Sequence, residues 1–324
     1  MVAGHSRTGK TDFIYTLFET LSVQKVIPED ENQETAEMFP LDVTVPTPSP
    51  VRIECSDPYN STKILLRFID TPGLDIPNGI HRAPPSSIPG LEYAANQYAD
   101  SLVGYIEQQF QATLEQESKV RRNPKSPDFQ VHACLYLLNP DVILASKGLT
   151  IMDKVVLEQL TEKVNVIPCL AKSDLITVRD LQLIKGYIRN DLGNLAIYSF
   201  PEEDLEEDEV YLQSMIPFCM VNSEELYSEA GSKRAMGIVV DGKKVLGREY
   251  LWGTIEVENP KHCDFDALKT ALLGTHLEDL RLSTREEFYE KWRTESLTKS
   301  RSSLLLPADL KTKMELVTLE TVEE

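Results

Sequence analysis

Eight residues near the start of the chain have the types and spacing of a phosphate-binding loop. They read G-H-S-R-T-G-K-T and match the pattern G-x-x-x-x-G-K-[ST] in full. In such a loop the glycines let successive N–H groups face a phosphate, the lysine neutralises charge, and the last hydroxyl can ligate Mg²⁺. We therefore predict phosphate binding by this segment, with Mg²⁺ on the hydroxyl of the last residue; the residues are Gly4, His5, Ser6, Arg7, Thr8, Gly9, Lys10 and Thr11.

A second polar group, Asp70-Thr-Pro-Gly73, follows a strand-like apolar run at 63–69. In proteins with a phosphate-binding loop, an aspartate at a strand end reaches Mg²⁺ directly or through water, and a following glycine N–H can touch the terminal phosphate. By itself the tetrapeptide would be an ordinary turn. Because it follows the loop in order, we predict that Asp70 and Gly73 belong to the same nucleotide site.

A third polar group, Ala171-Lys-Ser-Asp174, follows the apolar run at 164–170. Open α/β sheets bind ligands at the carboxyl ends of their strands. A carboxylate there can accept hydrogen bonds from the N1–H and the N2 amino group of guanine, which adenine does not offer in the same pattern. We therefore predict that Asp174 selects GTP or GDP, and that the Lys172 stem lies across the base or braces the phosphate loop.

The elements that must position these groups alternate between strand-like and helix-like patterns. The alternation predicts an α/β fold, with a mostly parallel sheet covered by helices on both faces. Strand-like runs occupy 63–69, 131–138, 164–170 and 216–221, and helix-like runs occupy 91–117, 150–163, 178–192 and 266–294.

The first strand and the end of the chain are special cases. Three residues precede Gly4, fewer than a central strand normally has, so either residues precede Met1 in the natural chain or the first strand is short. After 295 the composition turns to Ser, Lys, Thr and Glu without a sustained heptad, so we predict a disordered tail at 296–324 with no coiled coil. Three long loops are predicted at 27–50, 77–89 and 202–209.

Composition narrows the possible partners and the compartment. The 324 residues include 33 basic and 52 acidic ones, and the net charge of −19 argues against broad binding to nucleic acid or anionic membrane. No apolar run approaches the ~20 residues that a membrane span needs, and no signal-like segment precedes the loop, so we expect a cytoplasmic protein. The five cysteines lack C-x-x-C spacing and are expected to be reduced.

These motifs, together with three further features, resemble the septin family of filament-forming GTP-binding proteins. The lysine motif reads A-K-S-D, close to the A-K-A-D typical of septins. The run Gly247-Arg-Glu-Tyr-Leu-Trp-Gly253, followed by Glu256-Val-Glu-Asn259 and His262-Cys-Asp-Phe265, is similar to the septin unique element. The segment 121–136 also resembles fungal septins. The resemblance covers residues 1–294.

The resemblance implies a fold, a function and a set of roles. The fold is a Ras-like P-loop GTPase fold with a septin unique element, in a G domain at 1–295 that binds GTP or GDP with Mg²⁺. The function is assembly with other septin subunits into hetero-oligomeric cytoskeletal filaments at the cell cortex or division site. Trp252 is expected at the nucleotide-side interface. By position, the base-side residues are Lys172, Ser173, Asp174, Asp180, Asn222 and Arg248.

Several positions depart from the family pattern. Arg7 stands where septins commonly have a glycine in the phosphate loop, and Asn222 stands in place of another glycine before the base contact. Lys147 occupies the place of a histidine that approaches the nucleotide across the interface, and we expect it to meet a phosphate there. Leu251 replaces the usual proline before Trp252. The polybasic segment expected before the first strand is absent, which argues against direct membrane binding.

Hydrolysis depends on a threonine in the first switch. In active septins this residue positions Mg²⁺ and the attacking water, and Thr44 or Thr47 is the candidate here. Because prolines surround both and no glutamine base is evident, we hypothesise slow or absent GTP turnover. The alternative is a monomeric switch-type GTPase that hydrolyses GTP to GDP. An ATP-using enzyme is disfavoured by Asp174.

Overall fold

The structure is a computed structural model that describes residues 1–21, 23–27, 51–56, 63–80, 85–119, 128–200, 212–227, 233–240 and 242–305. Its strands are β1 Val2–Gly4, β2 Val23–Ile27, β3 Val51–Ser56, β4 Lys63–Phe68, β5 Ala133–Leu138, β6 Asn165–Leu170, β7 Phe218–Cys219, β8 Glu224–Tyr227, β9 Lys233–Val240, β10 Lys243–Tyr250 and β11 Gly253–Glu256. Its helices are α1 Lys10–Thr20, α2 Ile88–Ser118, α3 Pro140–Ser146, α4 Ile151–Thr161, α5 Val178–Leu192, α6 Leu212–Met215, α7 Phe265–Thr270, α8 Leu277–Ser283 and α9 Glu290–Leu305.

A four-stranded parallel sheet in the order β1-β5-β6-β7 forms the centre of the molecule. Every residue of β6 is buried, as are the last five of β5. Because side chains alternate between the faces of a strand, burial of all of them means that both faces of the sheet are covered. The predicted α/β fold with a covered parallel sheet is confirmed.

The chain that follows β4 runs beside β1 and extends this sheet. The Val2 N–H donates to Ile69 O (2.9 Å), the Leu74 N–H donates to Gly4 O (2.9 Å), and the Ser6 N–H donates to Leu74 O (2.8 Å). The three residues of β1 are thus bonded on one side to this segment and on the other to β5. This arrangement brings the Asp70 segment to the carboxyl end of β1.

Two antiparallel sheets, β2-β3-β4 and β11-β10-β9-β8, add to the central one. Of their strands only β4 was predicted, within the run 63–69. Those of the second sheet carry mixed polar and apolar residues without a clear period of two. A close approach holds β10 to β11: a Cβ on Gly247 would lie 2.1 Å from Ile255 O. The hairpin between them projects residues 251 and 252 from the sheet.

The helices agree with the sequence pattern in the middle of the chain and differ at its end. Helices α2, α4 and α5 match the predicted helices at 91–117, 150–163 and 178–192. The predicted single helix at 266–294 is wrong, because π-helical segments at Ala271–Thr275 and Thr284–Tyr289 separate α7, α8 and α9. Gly274 weakens the first site. At the second, the Thr284 hydroxyl and the Asn165 amide both donate to Leu280 O (2.7 and 3.2 Å), which competes with the helical bond.

The last helix and the loops complete the description. Helix α9 continues to Leu305 and so includes 296–305 of the predicted tail, while 306–324 lie outside the described residues. Of the three predicted loops, residues 28–50 of the first, 81–84 of the second and all of the third at 202–209 are outside them as well. Among the helices that the structure describes, none is both long and apolar enough to cross a membrane.

Candidate functional site

The phosphate loop connects β1 to α1 through two residues with left-handed backbone. Gly9 has φ 80° and ψ 38° and caps the helix, and Arg7 has φ 59°. A non-glycine residue in this conformation costs about 1–2 kcal/mol. Arg7 therefore adopts the conformation that a glycine would take more easily, and its side chain is exposed. The loop keeps its path at an energetic cost.

Lys10 lies inside the loop rather than in solvent. Its residue is 7% exposed, and Nζ donates to His5 O (2.8 Å) and Gly4 O (3.4 Å). Burial lowers the pKa of Lys10 to about 8, against the opposing effect of Asp70 and Asp75. Phosphate oxygens would supply the negative charge that this buried ammonium needs. This geometry agrees with the phosphate-binding role predicted for Lys10.

Thr11 and Asp70 meet at the mouth of the loop. The Thr11 hydroxyl donates to Asp70 Oδ2 in a short hydrogen bond. A hydroxyl and a carboxylate are the hard oxygen donors that Mg²⁺ prefers. The two side chains come from segments 59 residues apart in the chain, and the donor set fits that ion.

The Asp70–Gly73 segment packs directly on the phosphate loop. A Cβ on Gly73 would lie 2.5 Å from the Cα of Ser6, so the backbones touch only because this residue is glycine. Tyr98 of α2 fixes the contact from behind: its hydroxyl accepts from the Gly4 N–H (3.2 Å) and donates to Pro72 O (3.0 Å). Burial raises the pKa of Tyr98 well above its usual range, so it remains a neutral phenol.

The base-side residues converge from β6, the segment after β7, and β10. Asp174 lies in a short 3₁₀ turn after β6, and its side chain is 1% exposed. Its Oδ2 accepts a short hydrogen bond from the Tyr250 hydroxyl and lies 3.7 Å from Arg248 Nη1. The Arg248 Nε–H donates to Asn222 O (2.8 Å). The predicted base-reading carboxylate therefore has partners on β10.

Asn222 connects this cluster to the phosphate loop. Its side-chain amide donates to Gly9 O (2.8 Å), and a Cβ on Gly9 would lie 2.5 Å from that amide nitrogen. The neighbouring Ser173 is bonded to Met220 O through both its N–H and its hydroxyl (3.2 Å each). The structure thus brings together the predicted phosphate, Mg²⁺ and base residues at one edge of the central sheet.

The other predicted residues have local surroundings of their own or lie outside the described residues. The Asp180 carboxylate accepts from the Thr177 hydroxyl (2.8 Å), and the backbone N–H of Asp180 donates to the same hydroxyl oxygen (3.2 Å). Asp180 therefore helps to cap α5. Lys147 ends α3 in left-handed conformation and is exposed. Lys172 is half-buried, with φ 52° at the start of the 3₁₀ turn. Thr44 and Thr47 lie outside the described residues.

The tip of the β10–β11 hairpin carries an exposed apolar surface beside Asp174, Asn222 and Arg248, which we call the base cluster. Leu251 is fully exposed, and Trp252 is 67% exposed. The Trp252 ring stacks on Tyr250 with centroids 4.9 Å apart and planes 6° apart. Tyr250 therefore joins the surface residue Trp252 to the buried Asp174.

Some residues around the loop were not found from the sequence. The sequence indicates Tyr98 only as one position of the predicted helix at 91–117. Asp153 is completely buried and bonded to His5, yet its one sequence signal was the Thr150-x-x-Asp153 pattern of a helix capping box. His5 was predicted only as part of the phosphate-binding loop, and the sequence does not indicate that its side chain points to Asp153.

Comparison with known proteins gives consistent relatives. A sequence model of the septin family matches residues 90–304. Septin homolog spn3 of Schizosaccharomyces pombe is 36% identical over 318 residues, covering 94% of this chain and 74% of the relative. Cell division control protein 11 of Saccharomyces cerevisiae is 35% identical over 309 residues, covering 92% and 66%.

Septin-1 of Rattus norvegicus is 34% identical over 306 residues, covering 92% of this chain and 72% of the relative. Among solved structures, the septin GTPase domain of Chlamydomonas reinhardtii matches with a TM-score of 0.60 and 21% identity, covering 90% of this chain and 96% of that one. This structural match supports the fold and assigns no role to any residue.

Proposed function

The chain belongs to the septin family of GTP-binding proteins, and on that basis we propose that it is a guanine-nucleotide-binding subunit of hetero-oligomeric filaments. One observation carries the proposal: the phosphate loop, the Asp70–Gly73 segment and Asp174 meet at the carboxyl edge of one parallel sheet. Ligands of open α/β sheets bind at that edge. Cytoskeletal roles and roles in cytokinesis are typical of the family.

In this proposal each part of the nucleotide has its own residues. The N–H groups of the phosphate loop and the Lys10 ammonium receive the phosphates, and Gly73 approaches the terminal one. Thr11 and Asp70 hold Mg²⁺, which neutralises phosphate charge when bound. The Asp174 carboxylate accepts from guanine N1–H and the N2 amino group, which replace the Tyr250 hydroxyl, while Arg248 flanks the base.

We also propose that GTP turnover is slow or absent. The residue after Gly73 is Leu74, whose buried alkyl side chain cannot accept a proton from an attacking water. Single-turnover GTP assays test this on the wild type, Thr44→Ala and Thr47→Ala. Brisk wild-type turnover that either substitution abolishes would contradict the proposal, because one of these threonines would then position the attacking water.

Assembly is proposed to use the nucleotide side of the molecule. The exposed Leu251 and Trp252 offer an apolar contact beside the base cluster, and exposed Lys147 offers a cation for a phosphate across the interface. The proposed unit of assembly is a septin-type G domain at 1–295 followed by a tail at 296–324. Its proposed location is a septin ring or filament in the cytoplasm, at the cell cortex or division site.

The first experiment identifies the nucleotide carried by the purified protein. The protein is denatured, and the released nucleotide is separated by ion-exchange chromatography. Retained GTP supports a structural nucleotide that is not turned over, and GDP shows that the site takes guanine nucleotide but hydrolyses it or binds GDP directly. Protein that is empty and takes up no added GTP or GDP would refute nucleotide binding.

A further inference from the structure

The side chain of His5 faces the protein interior although its backbone belongs to the phosphate loop. His5 is 2% exposed, and its Nε2 lies 2.5 Å from Asp153 Oδ1. Its Nδ1 accepts the backbone N–H of Asn139 (2.9 Å). An amide N–H can only donate, so Nδ1 carries no proton and the ring proton is on Nε2, facing Asp153. Both ring nitrogens are used, and neither is available to a phosphate.

Asp153 anchors this imidazole to rigid structure. It is completely buried in the first turn of α4, and its carboxylate also accepts the Tyr136 hydroxyl (3.0 Å), the Thr150 N–H (3.1 Å) and the Thr150 hydroxyl (2.7 Å). Burial alone would raise the pKa of Asp153, but the hydrogen bonds that it accepts from His5, Thr150 and Tyr136 lower it below its ordinary value. A buried carboxylate that accepts this many hydrogen bonds is an anion held in one position.

The backbone of His5 in turn controls the loop. His5 O accepts from Lys10 Nζ (2.8 Å) and from the Thr8 hydroxyl (2.8 Å), and the His5 N–H donates to Leu137 O (3.0 Å). Displacement of the imidazole would therefore move the carbonyl that places the Lys10 ammonium. The path from α4 to the lysine runs through one residue.

We propose that His5 is a positioning residue: through Asp153, Tyr136 and the backbone of Asn139 it holds the phosphate loop in the shape that receives nucleotide phosphates. This inference rests on the proposed function, since it assigns a role within the same site. His5 touches no phosphate in this arrangement. On one side of the loop, the network restricts the backbone motion that the loop's glycines would otherwise allow.

The test compares His5→Phe with two variants that each keep half of the network. Asn can present an acceptor to the Asn139 N–H, and Gln can present a donor to Asp153. We expect GDP and IDP to bind about tenfold more weakly to His5→Phe, the effect of losing a hydrogen bond to a charged group, and less weakly to His5→Asn and His5→Gln. The GDP-to-IDP affinity ratio, which reports the N2 amino contact of the base, should stay at the wild-type value.

Tyr136→Phe has a matched control in Tyr289→Phe. Both tyrosines are buried and donate to a carboxylate, Tyr136 to Asp153 (3.0 Å) and Tyr289 to Glu117 (2.8 Å), but Tyr289 lies in the π-helical segment before α9. Tyr136→Phe should weaken GDP binding and Tyr289→Phe should not. Equal loss in both variants would mean that general destabilisation, not loop positioning, explains the effect, and would overturn the proposal.

The remaining outcomes separate this inference from the proposed function. If the wild type binds GDP and His5→Phe binds it equally well, the inference is overturned and the proposed function stands. If the wild type binds no guanine nucleotide, both are overturned. Nitrogen NMR of the ¹⁵N-histidine-labelled wild type adds a test without any variant: a neutral His5 with its proton on Nε2 is expected, and a proton on Nδ1 would overturn the inference.

Discussion

At the scale of single residues, Lys10 gives a direct test of the proposed phosphate site. Its ammonium is buried against two backbone carbonyls. Burial lowers its pKa, and Asp70 and Asp75 oppose this shift only in part. We expect Lys10→Met to weaken GDP binding about tenfold or more, because a charge-assisted hydrogen bond to phosphate is lost. Isothermal titration measures this, with the exposed Lys154→Met as control. Equal affinities for both variants would contradict the assignment.

Asp174 and Asp180 offer a matched pair of acids for base recognition. Asp174→Asn should weaken GDP binding at least about tenfold and improve binding of XDP, because the new amide can donate to the O2 of xanthine. Asp180→Asn should leave the GDP-to-XDP ratio unchanged, since that carboxylate caps α5. Competition with a fluorescent GDP analogue gives both ratios. A changed ratio in Asp180→Asn would instead support its predicted contact with the base.

Asp153 should make the stability of the protein dependent on pH. Its pKa is lowered from 3.8 in the folded protein, so its contribution is fully present above that value and is lost as the pH falls below it, through the lower pKa of the folded state. Asp153→Asn should reduce the free energy of unfolding by about 2–3 kcal/mol at pH 7, because the buried donors lose a charged acceptor. Urea titrations should show the difference from wild type shrinking as the pH falls below 3.8. A difference that is constant or grows in acid would contradict this.

At the scale of elements, the β11-β10-β9-β8 sheet carries Arg248 and Tyr250 on β10, where both face Asp174. Gly247 permits the close pairing of β10 with β11, since a Cβ there would lie 2.1 Å from Ile255 O. Gly247→Ala should therefore separate the strands, lower the melting temperature and weaken GDP binding. Gly186→Ala in α5 is the control: a Cβ there meets nothing within 4 Å, so stability should rise by about 0.5–1 kcal/mol. Equal melting temperatures in the two variants would contradict the close-packing argument.

The elements also differ in how well a local pattern predicts them. Helix α5 was predicted with its observed bounds, because Thr177 caps its start and the buried residues Ile184, Ile188 and Leu192 recur at helical spacing. The C-terminal helices were predicted as one. Their breaks depend on Asn165 of β6, whose amide donates to Leu280 O and to the Thr284 hydroxyl (3.2 Å each). No window of sequence around residue 280 contains that asparagine.

At the scale of the whole molecule, the hairpin tip should decide assembly. Trp252→Ser and Leu251→Ser remove exposed apolar groups, so we expect loss of co-sedimentation with other septin subunits while GDP binding stays within about threefold of wild type, less than one lost hydrogen bond would cause. Tyr93→Ser is the control, because Tyr93 is an equally exposed apolar residue (70%) on a different element, α2. Wild type that stays monomeric with every partner would favour the switch-type GTPase instead.

The sequence alone was sufficient for the family, the covered parallel sheet and the order of the three nucleotide motifs. Each motif is a short segment whose chemistry and backbone path follow from its own residues, as with the loop that starts at Gly4 or the turn that contains Asp174. Only the tertiary structure joined them. His5 meets Asp153 across 148 residues, and Asn222 meets Gly9 across 213. Such pairs depend on which strands lie side by side and where helices pack, and that information is spread over the whole chain.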